Sequence, residues 1–495
     1  MEHKKPDNLL TEWWPVLAVF ILCIVRMFWP QLQANSGLGW DGYRYYLLTV
    51  DGINSNILDS YYIMRFFPSL LVHTIFKICS IEFTPANVIL GFKVMHTILL
   101  TLAAVMAKGI FTHFKLRPIS QVIGFVLLFF NYGALNFTYF YPVMTDTPAF
   151  FLSVAAFYFF VRGELLNLAL IALIGAFTWP VITVMAIALL IFPNYPVEYK
   201  PLPTKFKLGL GFVAAAYALA MGWYLIIGNG EKADLQFVLP LKEDFLPVSF
   251  FYVALLFLFM PWLLNNKTFL SIDYIKTAFN PNRIFAIVMV MVLFLVLRGS
   301  ISFNQSSEYV TLYHQVKIHL VYAFVRPLIT IFSHFNYWGV IMVLVIIFWG
   351  RFSAFVTTFG LGMAGVLFLN VAFFGMKPES RALVHFFPWL MILMALFLDK
   401  FEFHKSFYAF IILVNAIMGK LWLVFNDNDA AINPDGTIGG PAQWFYMHLG
   451  IWMTEKVWMA LCVATILTII AFTLILYRIK WDKGLAFYAR FKPVE

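Results

Sequence analysis

Apolar residues run along this chain in long, nearly unbroken stretches, and only two of the polar intervals between them, 31–85 and 425–455, are long. A helix that crosses a bilayer needs about 20 predominantly apolar residues, and shorter ones are tolerated inside a bundle. By that measure the pattern predicts spans near 13–30, 86–107, 119–135, 147–161, 206–228, 247–264, 284–300, 336–349, 353–374, 383–398, 406–424 and 456–477. Two stretches do not fit one simple span. The run 165–192 is interrupted by Thr178-Trp179-Pro180, and a proline frees backbone groups that lipid cannot satisfy. It is expected to form a hairpin of two half-helices, or one kinked span. The run 319–333 carries Arg326-Pro327 and is expected to be buried or interfacial. The fold class is therefore all-α: a polytopic transmembrane helical bundle of roughly 12–14 membrane segments, with 1–495 forming a single integral membrane domain.

Composition strengthens this reading. Hydrophobic residues make up 62% of the chain and charged residues 12%, against about 45–50% and 25% in globular domains. Too little charge is present to cover a surface in water, which excludes a soluble enzyme, a disordered chain, collagen and a coiled coil. Cys23, Cys79 and Cys462 are too far apart for a zinc site or a disulfide framework. His3, Lys4 and Lys5 precede the first apolar run, and no small-residue cleavage site follows it, so a retained signal anchor is expected.

The net charge of +9 fits the excess of Lys and Arg expected in cytoplasmic loops better than a nucleic-acid partner. With the N-terminus inside, Lys108, Lys115, Arg117, Arg162, Lys200, Lys205, Lys207, Lys267, Lys276, Arg283, Arg351, Lys400 and Lys405 all fall inside, as does the basic tail. The alternation holds if 165–192 contributes an even number of crossings, which favours the hairpin.

The outer side then collects the candidate chemistry. The first outer loop, 31–85, contains Gly39-Trp40-Asp41-Gly42-Tyr43-Arg44-Tyr45-Tyr46, then Asp51, Asp59, Tyr61, Tyr62 and Arg65. Its mixture of acids, aromatics and apolar runs suits interfacial helices. Asp41, beside an indole on which a sugar could stack, is a candidate catalytic carboxylate, with a helix cap or turn as the alternative; Asp51 and Asp59 suit helix caps or turns. The second loop, 136–146, ends in Thr145-Asp146-Thr147-Pro148, where an N-cap competes with a functional acid at the membrane edge. Lys377, Glu379 and Arg381 lie in 375–382, with His385 just beyond. Snorkelling would explain the two cations, but an outer position runs against the charge bias. His314, Lys317 and His319 suit a solvated polar face, and two histidines five apart suggest no metal site. The Asp/Asn/Gly stretch 426–440 lacks the ligand spacing of a calcium loop and is expected to be a flexible loop.

This layout resembles the type C glycosyltransferases (GT-C), polytopic enzymes that use polyprenyl-phosphate-linked sugars. The resemblance rests on the acid in the long first outer loop, on Tyr141-Pro142-Val143-Met144-Thr145-Asp146-Thr147-Pro148-Ala149, and on Glu379-Ser380-Arg381 followed by Phe386-Phe387-Pro388. It implies a GT-C-like fold with interfacial helices in the first outer loop. It also implies catalytic roles for Asp41 and Asp146, and donor phosphate binding by Arg381 with Lys377 or Lys317. Trp40, Tyr43, Arg44, Asp51, Arg65, Glu379 and His385 are expected to contact substrate. An optional divalent cation (Mg or Mn) would sit at Asp146. A general base takes the acceptor proton and a guanidinium binds the leaving phosphate. The expected partners are a polyprenyl-phosphate sugar donor, a lipid-linked or glycan acceptor and membrane lipids. The expected site is the bacterial inner membrane, with the endoplasmic reticulum as the alternative. A polysaccharide polymerase or ligase, or a lipid-linked sugar flippase or transporter, is the rival reading; a transporter would show paired broken helices, and only one break, at 178–180, is evident.

Overall fold

The structure is a computed structural model. It describes residues 9–33, 35–52, 60–193, 195–228, 243–301, 319–324, 326–373, 375–420, 422–423, 431–432, 438–439, 450, 453 and 455–477. Lys317, His314 and Asp59 lie outside the described residues, as does most of 425–455.

The described chain is helical apart from a two-residue antiparallel ladder, Ala431–Ile432 with Ile438–Gly439. Among the described residues five helices are long and apolar enough to cross a membrane, or up to seven if each of two sharply bent pairs is one span; eight further apolar helices have 10–17 residues. This is an integral membrane protein. The elements that place the site are α1 (Leu9–Met27), α2 (Trp40–Asp51), α3 (Ser60–Ile63), α4 (Phe67–Ile78), α5 (Pro85–His113), α6 (Pro118–Phe129), α7 (Thr138–Phe140) and α8 (Asp146–Val161). They are followed by α9 (Leu165–Ala176), α10 (Pro180–Ile191), α11 (Ile329–Trp338), α12 (Ile341–Thr357), α13 (Gly360–Phe373) and α14 (Phe387–Leu398).

Several boundaries differ from the apolar pattern. The stretch expected as a loop at 136–146 is wound into a π-helical turn, Tyr132–Phe137, running on into α7, and it meets α6 at 53°. The Asn131 side chain accepts from Ala134 N–H and so starts the new turn. Its aromatic residues pack inward, with Tyr132, Phe137, Tyr139 and Phe140 all buried. A loop was expected because the stretch lies between two apolar runs, 119–135 and 147–161. The span expected at 336–349 is instead split: α11 and α12 meet at 115° across Gly339, whose φ of 75° suits glycine. A Cβ there would lie 2.3 Å from Asn415 Oδ1, so the bend and the close approach need the same residue. Arg326 is buried and its Nη1 donates to the Met453 carbonyl at 2.9 Å, in keeping with a buried segment there.

The interrupted run 165–192 folds as a helical hairpin. Trp179 N–H caps back to the Gly175 carbonyl at 2.8 Å, and Thr183 Oγ1 donates across to the Ala172 carbonyl at 2.7 Å. A Cβ on Gly175 would come within 2.9 Å of Ile182, so glycine sets how closely α9 and α10 approach. At the far end of α8, turns assigned to one side by charge do meet. Arg117 donates to Asp399 Oδ1 at 3.1 Å and to the Asp399 carbonyl at 2.8 Å, and Phe114 packs on Tyr195 and Phe359.

Candidate functional site

Among the described residues the stretch 31–85 contains three helices, α2, α3 and α4, of which α2 and α4 have 12 residues each. Gly39 precedes α2 with φ 68°. A Cβ on Gly39 would sit 2.3 Å from the Tyr141 ring, and one on Gly42 would sit 3.0 Å from the Val143 carbonyl. The two glycines around Asp41 therefore let the start of α2 press against 141–143, where Gly42 N–H donates to the Tyr141 hydroxyl at 3.2 Å. His96 of α5 donates through Nε2 to the Pro142 carbonyl at 2.6 Å and pins that strip from behind. On its other side α2 is held to α4: Ser69 Oγ donates to the Tyr45 carbonyl at 3.1 Å and His73 Nδ1 to the Thr49 carbonyl at 2.8 Å.

These packings bring Asp41, Asp146 and the segment 377–385 together. Arg381 is the hub. Its Nη2 lies 3.0 Å from Asp41 Oδ2 and 3.3 Å from Glu379 Oε1, and its Nε is 4.0 Å from Asp146 Oδ1. Lys377 Nζ holds Glu379 Oε2 at 3.0 Å. Burial alone would weaken the Arg381 charge, but the carboxylates of Asp146, Asp41 and Glu379 override it and hold the guanidinium well above its ordinary pKa.

The two aspartates differ in surroundings. The Asp41 side chain is 30% exposed, and its Oδ1 accepts from the Tyr62 hydroxyl at 3.1 Å. The Asp146 side chain is 8% exposed. Among the described residues no hydrogen-bond donor reaches either Asp146 oxygen. Neither acid caps its helix: α2 and α8 both begin without a side-chain cap bond. The capping alternative thus gives way at both positions, because each carboxylate turns towards Arg381.

Of the other residues singled out from sequence, Arg65 joins the neighbourhood. Its guanidinium stacks 4.2 Å from the Tyr61 ring centre and 4.1 Å from that of Trp179. Trp179 Nε1 donates to His385 Nδ1 at 3.0 Å, so the other nitrogen, Nε2, donates to Asn370 Oδ1 at 2.7 Å. His385 is thereby engaged at both ring nitrogens inside the protein, and it links the α9–α10 turn to the Arg381 segment. Trp40, Tyr43 and Arg44 are exposed on α2, beside the cluster in sequence. Asp51 is exposed at the other end of that 12-residue helix, about 15 Å along its axis from Asp41, and does not join. His319 is buried and bonds the Phe373 carbonyl at 2.7 Å, not a solvated polar face. Among the described residues no group of three or more His, Cys, Asp or Glu side chains is placed to hold a metal ion.

An apolar groove of about 590 Å³ is lined by Leu383, Phe386 and Phe387, from the segment that follows Arg381, together with Trp349, Phe352 and Ile469. The charged residues of the cluster do not line it. Sequence reasoning missed Tyr62 and Trp179 as partners of the charged cluster. Both looked like ordinary aromatics, one at an interface and one at a helix break, and only tertiary contact distinguishes them. Comparison of the chain with family models, curated proteins and solved structures returns no match.

Proposed function

We propose that this protein is a membrane glycosyltransferase. It moves a sugar from a polyprenyl-phosphate-linked donor to an acceptor hydroxyl on the outer face, in a GT-C-like scaffold. The observation that carries this reading is a half-buried guanidinium, ringed by Asp41, Glu379 and Asp146, on the same segment as Leu383, Phe386 and Phe387, which line an apolar groove. A lipid tail in the groove would put its phosphate beside Arg381, whose planar fork suits phosphate oxygens. The accessible carboxylate, Asp41, takes the acceptor proton, and the sealed one, Asp146, orients the acceptor. With Arg381 beside it and, among the described residues, no group of three or more metal-ligating side chains around it, Asp146 does not fit a divalent cation. Stabilising the leaving phosphate and removing the proton are the two demands of the reaction.

The test is reconstitution of the full chain in lipid nanodiscs with radiolabelled mannose and glucose carried on undecaprenyl phosphate. Release or transfer of label that requires Arg381 and Asp41 is expected. No binding of undecaprenyl phosphate and no turnover of either donor would remove the reading.

A further inference from the structure

Asp41 is bound at both oxygens, by different elements. Arg381 holds Oδ2 at 3.0 Å and Tyr62 holds Oδ1 at 3.1 Å. The Tyr62 ring is itself fixed edge-on, 5.5 Å from Tyr45 and 5.0 Å from Tyr61, so its hydroxyl is aimed by packing. Burial, and then the Asp41 charge, push the Tyr62 hydroxyl well above its ordinary pKa, and it remains a proton donor. The bridge to Asp41 occupies Nη2, one arm of the fork with which Arg381 would grip a phosphate.

We propose that Tyr62 is the positioning residue of the Asp41 base: when an anionic phosphate engages Arg381, Asp41 gives up the guanidinium and keeps the Tyr62 hydroxyl as its fixed donor. This rests on the reading of Asp41 as base and of Arg381 as phosphate ligand. The exchange frees Oδ2 for the acceptor hydroxyl, and the remaining hydrogen bond from Tyr62 holds Oδ1, so that Oδ2 keeps its aim.

The experiment measures binding of undecaprenyl phosphate and turnover of its mannosyl and glucosyl derivatives by the full-length protein in nanodiscs. Tyr62→Phe keeps the ring contacts and should lower kcat about tenfold while undecaprenyl phosphate binds as in the wild type. Replacing Tyr62 by 3,5-difluorotyrosine keeps a hydroxyl donor and should restore kcat, which covers the case of a poorly folded phenylalanine variant. Asp41→Asn removes the anion that competes for Arg381 and should bind undecaprenyl phosphate more tightly than the wild type. Wild-type kcat in Tyr62→Phe would overturn the role of Tyr62. Unchanged binding in Asp41→Asn would instead overturn the exchange at Arg381. No turnover by the wild type itself would remove the base reading on which the inference rests.

Discussion

At the scale of single residues, the site is three carboxylates sharing one guanidinium, and its variants separate by what each leaves behind. Arg381→Ala leaves Asp41, Asp146 and Glu379 facing one another, and breaking a largely buried pair costs about 3 kcal/mol or more. Asp41→Asn removes a partly exposed charge, and about 1 kcal/mol or less is expected. Thermal unfolding in detergent should therefore show the larger loss for Arg381→Ala. Activity should rank differently, since losing a general base costs ~10²–10⁴-fold. Asp146→Asn removes a charge that no described donor satisfies, so its unfolding temperature should stay within the change of about 1 kcal/mol that a charge at a helix start supplies, while transfer falls. A large loss of stability in that variant would mean that Asp146 is structural. The acids and Arg381 were legible in the sequence because ionisable groups are rare at membrane edges. Their mutual pairing was not, since the partners come from three distant segments and no spacing rule connects them.

At the scale of elements, the hairpin at 165–192 was legible because Pro180 marks a break in the apolar run and the alternation of basic loops required an even number of crossings there. The fold of 132–140 and the bend at Gly339 were not, since both depend on what packs against them: aromatic neighbours for the first, Asn415 for the second. The placement of α2 rests on two glycines, and this gives a clean contrast. Gly39→Ala forces a Cβ into the Tyr141 ring and strains a positive φ, so it should dislodge the start of α2 and reduce transfer at least tenfold. Gly299→Ala meets nothing within 4 Å and should be silent in the same assay. Equal activity in the two proteins would show that α2 does not need its contact with 141–143.

At the scale of the whole molecule, Lys and Arg sort the loops into two sets, and the structure brings members of each set together. Charge patterning was informative here because the bias it reflects is a property of the membrane, independent of the fold. Single cysteines at Asp51 and Lys276, in a chain with Cys23, Cys79 and Cys462 replaced, should label from opposite faces, Asp51 from outside. Labelling of both from the cytoplasm would place the charged cluster on the wrong side for the proposed donor. The bridge between Asp41 and Arg381 joins residues 340 apart in the chain. The carboxylates at 41 and 146 leave the ribosome long before the arginine that neutralises them. Through most of translation the first outer loop therefore carries an unmatched acid, and nothing that needs the guanidinium can bind. On the proposed function, the donor phosphate has no ligand until the segment around Arg381 has been inserted.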